Sequence, residues 1–155
     1  MTVTLRPIGI IHTPFLTKDE APIQGAFRPD AVGVVELAEE FAGGLADIDG
    51  FSHLILLYEF DRAAPVEMVR QTFLGDDPHG LWATRHPARP NRIGLTVVSL
   101  VSRDRTALTV RGIDVLDGTP LLDIKPYIPR FDSVPEATEG WLVGRAERPK
   151  PPGRE

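Results

Sequence analysis

The chain has 155 residues, of which 42% are hydrophobic, a net charge of −5 at pH 7 and no cysteine. That length suits one domain able to bury about two thirds of its unfolded surface, and the missing thiols exclude disulfides, thiolate catalysis and zinc-thiolate sites. The acidic balance argues against a general polyanion-binding surface, and the lack of a signal-like N-terminus or a membrane-length apolar run leads to the expectation of a soluble, cytoplasmic protein with no membrane contact.

Charge is segregated along the chain. Acidic residues dominate up to Asp49, whereas Arg62, Arg70, Arg85, Arg89, Arg92, Arg103, Arg105 and Arg111 fill the middle section. Fourteen of the 17 basic residues are arginine.

Val3 to His12 is rich in β-branched residues and reads as a first strand, with Pro7 marking an edge or bulge. Leu16 to Asp30 carries no periodicity and holds Pro22, Gly25 and Pro29; at 15 residues it is longer than most connections, a length usually reserved for functional loops. Gly33 to Leu37 reads as a second strand, and Ala38 to Leu45 as a short helical turn stopped by Gly43 and Gly44. Asp49 to Phe60 is an apolar run between turn signals, expected to form a core strand buried on both faces, with His53 a hydrogen-bonded core histidine. Pro65 to Phe73 has the form of a helix with proline in its first turn.

Trp82 to Leu95, WATRHPARPNRIGL, is unlike an ordinary connection. Pro87 and Pro90 fix φ and push His86 and Arg89 toward extended geometry, so Arg85, Arg89 and Arg92 project from a stiff backbone. Guanidinium forks on a pre-shaped loop suit the recognition of carboxylates or phosphates. Beyond it, Ile93 to Leu100 and Ala107 to Arg111 read as a strand hairpin. An Asp-Gly turn then interrupts Ile113 to Leu122, and Asp114, Asp117, Asp123, Lys125 and Tyr127 form a second dense polar cluster inside an otherwise apolar strand pattern. Val134 to Arg145 is expected to hold a helical turn and a last strand (WLVGR), and residues 146–155 a frayed, proline-rich charged tail after a domain spanning 1–145. Short strands with few convincing helices make the expected fold mainly β, a small closed or nearly closed barrel of about seven strands with short helical segments.

There is no GxGxxG after a strand, no GxxxxGK[ST], no GxSxG and no HExxH. The four histidines are too scattered to make a metal site by local spacing, and no metal is expected. What remains is a set of polar loops on a β scaffold.

Those loops carry, in order, IGIIHTPF, PIQG, GFSHLILLYEF, ATRHPARPNRIGL and DVLDGTPLLDIKPYIP. Over about residues 5–145 they resemble the TsaA-like family, that of tRNA methyltransferase O. The resemblance implies a β-barrel that binds S-adenosylmethionine, usually as a homodimer, and an activity that methylates N6 of threonylcarbamoyladenosine beside the tRNA anticodon. Matched motif by motif, the implied cofactor residues are Pro22, Ile23, Gln24, Asp61, Arg62, Arg85, Leu95, Leu116, Asp117, Gly118, Thr119 and Pro120. Arg85 would hold the cofactor carboxylate, backbone near Leu95 and Leu116 the adenine, and Asp117 the ribose or ammonium group. Asp123, Lys125 and Tyr127 are the candidates to orient or deprotonate the acceptor. The family's PRQ is here PIQ, its His-Lys is Asp61-Arg62, and its RSPFRPNPIG is RHPARPNRIG. Bacterial members also continue into a C-terminal domain that helps engage tRNA. These departures keep two alternatives open, namely methylation of a small molecule or other acceptor, and a non-enzymatic S-adenosylmethionine-binding module.

Overall fold

The computed structural model describes residues 1–151, so 152–155 of the expected tail lie outside the described residues. The sheet signals resolve into β1 (Gly9–His12), β2 (Val32–Leu37), β3 (His53–Glu59), β4 (Val69–Gln71), β5 (Pro78–Gly80), β6 (Ile93–Asp104), β7 (Ala107–Arg111) and β8 (Thr119–Pro126). Six of these close into a barrel in the order β1-β2-β7-β6-β3-β8, with β8 pairing back onto β1. All its ladders are antiparallel. Strands β4 and β5 form a separate two-stranded ribbon. The expected barrel is present, with six strands in its wall rather than about seven.

Alternation along the strands builds the core. Leu54, Leu56 and Tyr58 of β3 point inward beside Val98, Leu108, Val110, Leu121, Ile11 and Val35. Burying each aliphatic side chain of this set contributes about 1.5–3 kcal/mol. Closure removes the sheet edges that would otherwise pair with other chains.

Several expectations are corrected. β3 is not buried on both faces: Ile55 and Leu57 are half-buried, because they line the outer wall of the barrel. His53, at the start of that strand, is exposed and bonds Ser52 (2.8 Å) instead of sitting in the core. The first strand begins only at Gly9, after Pro7, whose missing N–H cannot join a ladder. Within Pro65 to Phe73 the chain is extended, since Val69–Gln71 pairs with Pro78–Gly80 across the acidic turn. A nine-residue segment is too short to hold a helix against such pairing. The WLVGR segment forms a 3₁₀ turn (Gly140–Leu142) and not a strand, because Gly140 and Gly144 both take positive φ (59° and 74°) and turn the backbone. The only α-helical turn among the described residues, α1, is Pro129–Asp132.

The segment after α1 returns across the ribbon. Trp141 donates its indole N–H to the Ala83 carbonyl (2.8 Å) and stacks on His79 at 3.9 Å. Arg148 donates to the Phe73 carbonyl (2.6 Å), and Lys150 to that of Lys18 (2.9 Å). Residues 141–150 therefore tie the ribbon to the long Leu16 to Asp30 loop.

Candidate functional site

One end of the barrel opens into a cavity of about 1030 Å³. Its rim is made where β3 ends (Tyr58, Phe60), β6 begins (Ile93, Gly94, Leu95) and β8 begins (Thr119), with the Leu16 to Asp30 loop, the arginine loop and the returning C-terminal segment above. Loops gathered at the end of a closed sheet are held by a rigid base, the usual setting for a ligand site.

The cavity brings together Pro22, Ile23, Gln24, Asp61, Arg62, Arg85, Leu95, Leu116 and Thr119. Two contacts join motifs that lie far apart in sequence. Arg85 Nη1 donates to Gln24 Oε1 at 2.8 Å, linking the arginine loop to PIQ. Arg62 Nη2 donates to the Asp117 carbonyl (2.9 Å) and to Thr119 Oγ1 (3.3 Å), while its Nε donates to Asp61 (3.1 Å), linking the end of β3 to the DGTP turn. Gly118 takes φ +80°, the left-handed geometry that this turn requires. Asp117, Gly118 and Pro120 are not themselves among the lining residues. The Asp117 carboxylate instead accepts the Thr13 N–H (3.0 Å) and lies near His12 (3.6 Å), and Pro120 pairs with Ile10 in the wall.

Asp123, Lys125 and Tyr127 do not meet the cavity. They follow Thr119 along β8 toward the far end of the barrel, where Lys125 pairs in register with Ile55 and the Tyr127 ring edges onto His53. Lys125 and Asp123 form an exposed ion pair at 2.9 Å.

The floor of the cavity holds a carboxylate that was read in the sequence only as one acidic residue among several. Asp114 accepts the Thr96 hydroxyl (2.6 Å), the Gly25 N–H (2.9 Å) and, more distantly, the Tyr58 hydroxyl (3.5 Å). Tyr58 and Thr96 also bond one another at 2.8 Å. These bonds hold Gly25, and with it Gln24, against the barrel. The hold is tight: a Cβ on Gly25 would collide with the Gly112 carbonyl, so only glycine fits there. Periodicity gave no sign of Asp114, because its role depends on Thr96 and Gly25 arriving from distant segments. Its place two residues after Gly112, and three before the DGTP turn, is the one local hint.

Burial raises the Asp114 carboxyl from the ordinary carboxylate range to about 6, against the lowering effect of the Thr96, Gly25 and Tyr58 bonds. Burial first, then the Asp114 charge, pushes the Tyr58 hydroxyl well upward, with the Arg85 charge opposing. The folded Asp114 thus keeps its proton to a higher pH than the unfolded chain does. Its contribution to stability is greatest below about pH 4, falls as pH rises toward 6 and is lowest above that. Asp114→Asn removes this titration and keeps the hydrogen bonds, since both hydroxyl partners can reverse roles. Thermal melts at pH 4 and pH 7 should show the variant gaining on the parent by on the order of 3 kcal/mol at the higher pH, several degrees in midpoint.

Arg85 is exposed and paired with a neutral amide, with no carboxylate beside it among the described residues. Its charge is available to an anionic ligand group. No group of three or more His, Asp or Glu residues that could hold a metal ion occurs among the described residues, and no described helix is long and apolar enough to cross a membrane.

A family model described as the tRNA-methyltransferase O N-terminal domain matches residues 10–133. The chain belongs to the tRNA-methyltransferase O N-terminal domain family. A probable S-adenosyl-L-methionine-binding protein of Pyrococcus abyssi is 46% identical over 99% of this chain and 85% of its own length. The tRNA (adenine(37)-N6)-methyltransferase of Escherichia coli is 33% identical over 86% of this chain and 61% of its own. A TrmO crystal structure from Pseudomonas aeruginosa superposes with a TM-score of 0.77 at 38% identity, covering 91% of this chain and 63% of that one. The chain thus spans a little over three fifths of the relatives named for tRNA methylation. Members of the tRNA-methyltransferase O family share this barrel, and the PIQ, ATRHP and DGTP motifs of the present member border or brace one cavity.

Proposed function

We propose that the chain is an S-adenosylmethionine-dependent N-methyltransferase acting in the cytoplasm on tRNA, at N6 of the threonylcarbamoyl-modified adenosine beside the anticodon. The observation that carries the donor half is the convergence of Gln24, Arg85, Arg62 and Thr119 on one cavity. Family membership and the tRNA (adenine(37)-N6)-methyltransferase name of the Escherichia coli relative support the acceptor half.

The residues present fit the donor. The Arg85 guanidinium, unopposed by a carboxylate, suits an α-carboxylate, and Tyr58, Phe60, Leu95 and Leu116 provide apolar surface for an adenine ring. When bound, S-adenosylmethionine supplies an activated methyl group for in-line displacement. The protein's part is alignment: Asp114 fixes the Gly25 backbone, Gly25 sets Gln24, and Gln24 orients Arg85. Holding donor and acceptor at near-attack distance can supply about 7–11 kcal/mol of the barrier.

The protein acts as a homodimer in this reading. Ile55 and Val97 sit directly opposite one another on the outer wall of β3 and β6, where Val97 is 41% exposed. Apolar side chains contiguous across two strands mark an association face. A two-fold axis through this face would lay the Lys125 end of one copy against the Leu95 end of the other, giving Asp123, Lys125 and Tyr127 a route to the second copy's acceptor. Val97→Asp should convert a dimer to a monomer in light scattering while leaving the melting midpoint within a few degrees. A monomeric parent would remove this part of the reading.

The activity is tested by incubating the purified chain with S-adenosylmethionine and tRNA from a strain lacking the N6-methyl product, then digesting the tRNA for nucleoside mass spectrometry. A gain of one methyl on threonylcarbamoyladenosine is expected. Saturable donor binding without that product would favour the other-acceptor reading, which the net charge of −5 keeps open.

A further inference from the structure

The cavity has more room and a second chemistry beyond the Gln24–Arg85 end. At about 1030 Å³ it lies at the upper limit of pockets that enclose one drug-sized ligand, roughly 300–1,000 Å³. Trp82 lines it yet is 66% exposed. The Arg89 guanidinium sits over the Trp82 ring, 5.4 Å from its centre, and is held there by bonds from Nη1 to the Thr84 (3.0 Å) and His86 (3.3 Å) carbonyls. An arginine so fixed braces the ring from one side and leaves the opposite face to a ligand. Thr72 lines the same cavity at 3% exposure, and its hydroxyl has no hydrogen-bond partner among the described residues. A buried hydroxyl without a partner costs about 1–3 kcal/mol, a cost that a polar ligand atom would relieve. Trp141 also lines the cavity, but it is committed to His79 and to the Ala83 carbonyl and acts as wall.

We propose that Trp82, braced by Arg89, is the stacking platform for the purine base that accepts the methyl group, and that the Thr72 hydroxyl is a polar contact in that subsite. This rests on the methyltransferase reading above and adds where the acceptor lies. A base against an indole is a sequence-tolerant contact worth about 1–3 kcal/mol. Placing acceptor and donor in one cavity is also what an alignment-driven transfer needs.

Trp82 and Trp141 are the only tryptophans in the chain, so each can be watched alone. The full chain is first saturated with S-adenosylhomocysteine, its binding measured by calorimetry, and adenosine 5′-monophosphate is then titrated against tryptophan emission. Saturable quenching is expected in the parent and in Trp141→Phe, where Trp82 is the sole reporter, and is expected to vanish in Trp82→Leu. With tRNA as acceptor, Trp82→Leu should raise KM by about 5- to 150-fold, Trp82→Phe by much less, and both should bind S-adenosylhomocysteine within twofold of the parent. Thr72→Val should keep or raise the melting midpoint while weakening the nucleotide-induced quench. The subsite is overturned if Trp141→Phe shows no quench, or if Trp82→Leu weakens S-adenosylhomocysteine and leaves acceptor KM unchanged, which would assign Trp82 to the donor. Failure of the parent to bind S-adenosylhomocysteine would instead overturn the methyltransferase reading, and the subsite with it.

Discussion

Arg85→Ala is expected to lower affinity for S-adenosylmethionine by about 30- to 100-fold in calorimetry, with the melting midpoint almost unmoved. The size follows from what is removed. Truncating one partner of a buried hydrogen-bonded charge pair costs about 2–5 kcal/mol, and a ligand carboxylate partly covering the Arg85 guanidinium in the cavity puts the loss at the low end of that range. The side chain supports little of the fold, because its hydrogen bond is to the side chain of Gln24, itself on a loop. Arg85→Lys should recover part of the loss, since an ammonium keeps the charge but not the planar fork. Retention of full donor affinity in Arg85→Ala would show that the ligand carboxylate is held elsewhere.

Gly25→Ala is expected to carry a large structural effect for a conservative change near the site. The added methyl would meet the Gly112 carbonyl, a backbone atom that cannot swing aside as a side-chain tip can. Either the 3₁₀ turn Gly25–Phe27 moves off the barrel or the 112–116 loop does, and both break the Gly25 N–H bond to Asp114. A cost of about 2–4 kcal/mol is expected, a fall of roughly 5–15 °C in melting midpoint for a domain of this size. Donor affinity should also fall more than tenfold at temperatures where the variant is folded, because Gln24 moves with the turn. Gly43→Ala is the control: nothing lies within 4 Å of its added Cβ, and neither quantity should change by much.

The sequence disclosed those parts of the fold whose cause is local. Alternation in GVVEL and ALTVR gave strands β2 and β7 to within a residue, and short strands without helical periods indicated a barrel; β6 runs four residues past the expected Leu100, to Asp104. Pro65 to Phe73 was misread because the pairing of Val69–Gln71 with Pro78–Gly80 is a tertiary preference set by the turn beyond it. The barrel's outer face was misjudged on β3 for a related reason, since a continuous apolar run looks the same whether its second face meets a covering layer or the outside.

The candidate site divides in the same way. Gln24, Arg62, Arg85 and Thr119 were legible through motif resemblance, and the structure brings them to one cavity. Asp123, Lys125 and Tyr127 were grouped by their nearness to DGTP in sequence, but a strand advances about 3.3 Å per residue, so a few positions along β8 carry them away from the cavity. Asp114 stood out only as one member of a polar cluster and Thr72 not at all, because each draws its significance from burial. Trp82 was noted only as the start of the arginine loop, and its face toward the cavity exists only once that loop is folded over the barrel end.

Where the donor sits is shown most directly by a crystal structure of the chain with S-adenosylhomocysteine. The ligand should occupy the barrel-end cavity with its carboxylate within about 3 Å of the Arg85 guanidinium and its adenine against Leu95 or Leu116. A ligand bound outside this cavity, or one seated in it with its carboxylate turned away from Arg85, would contradict the account.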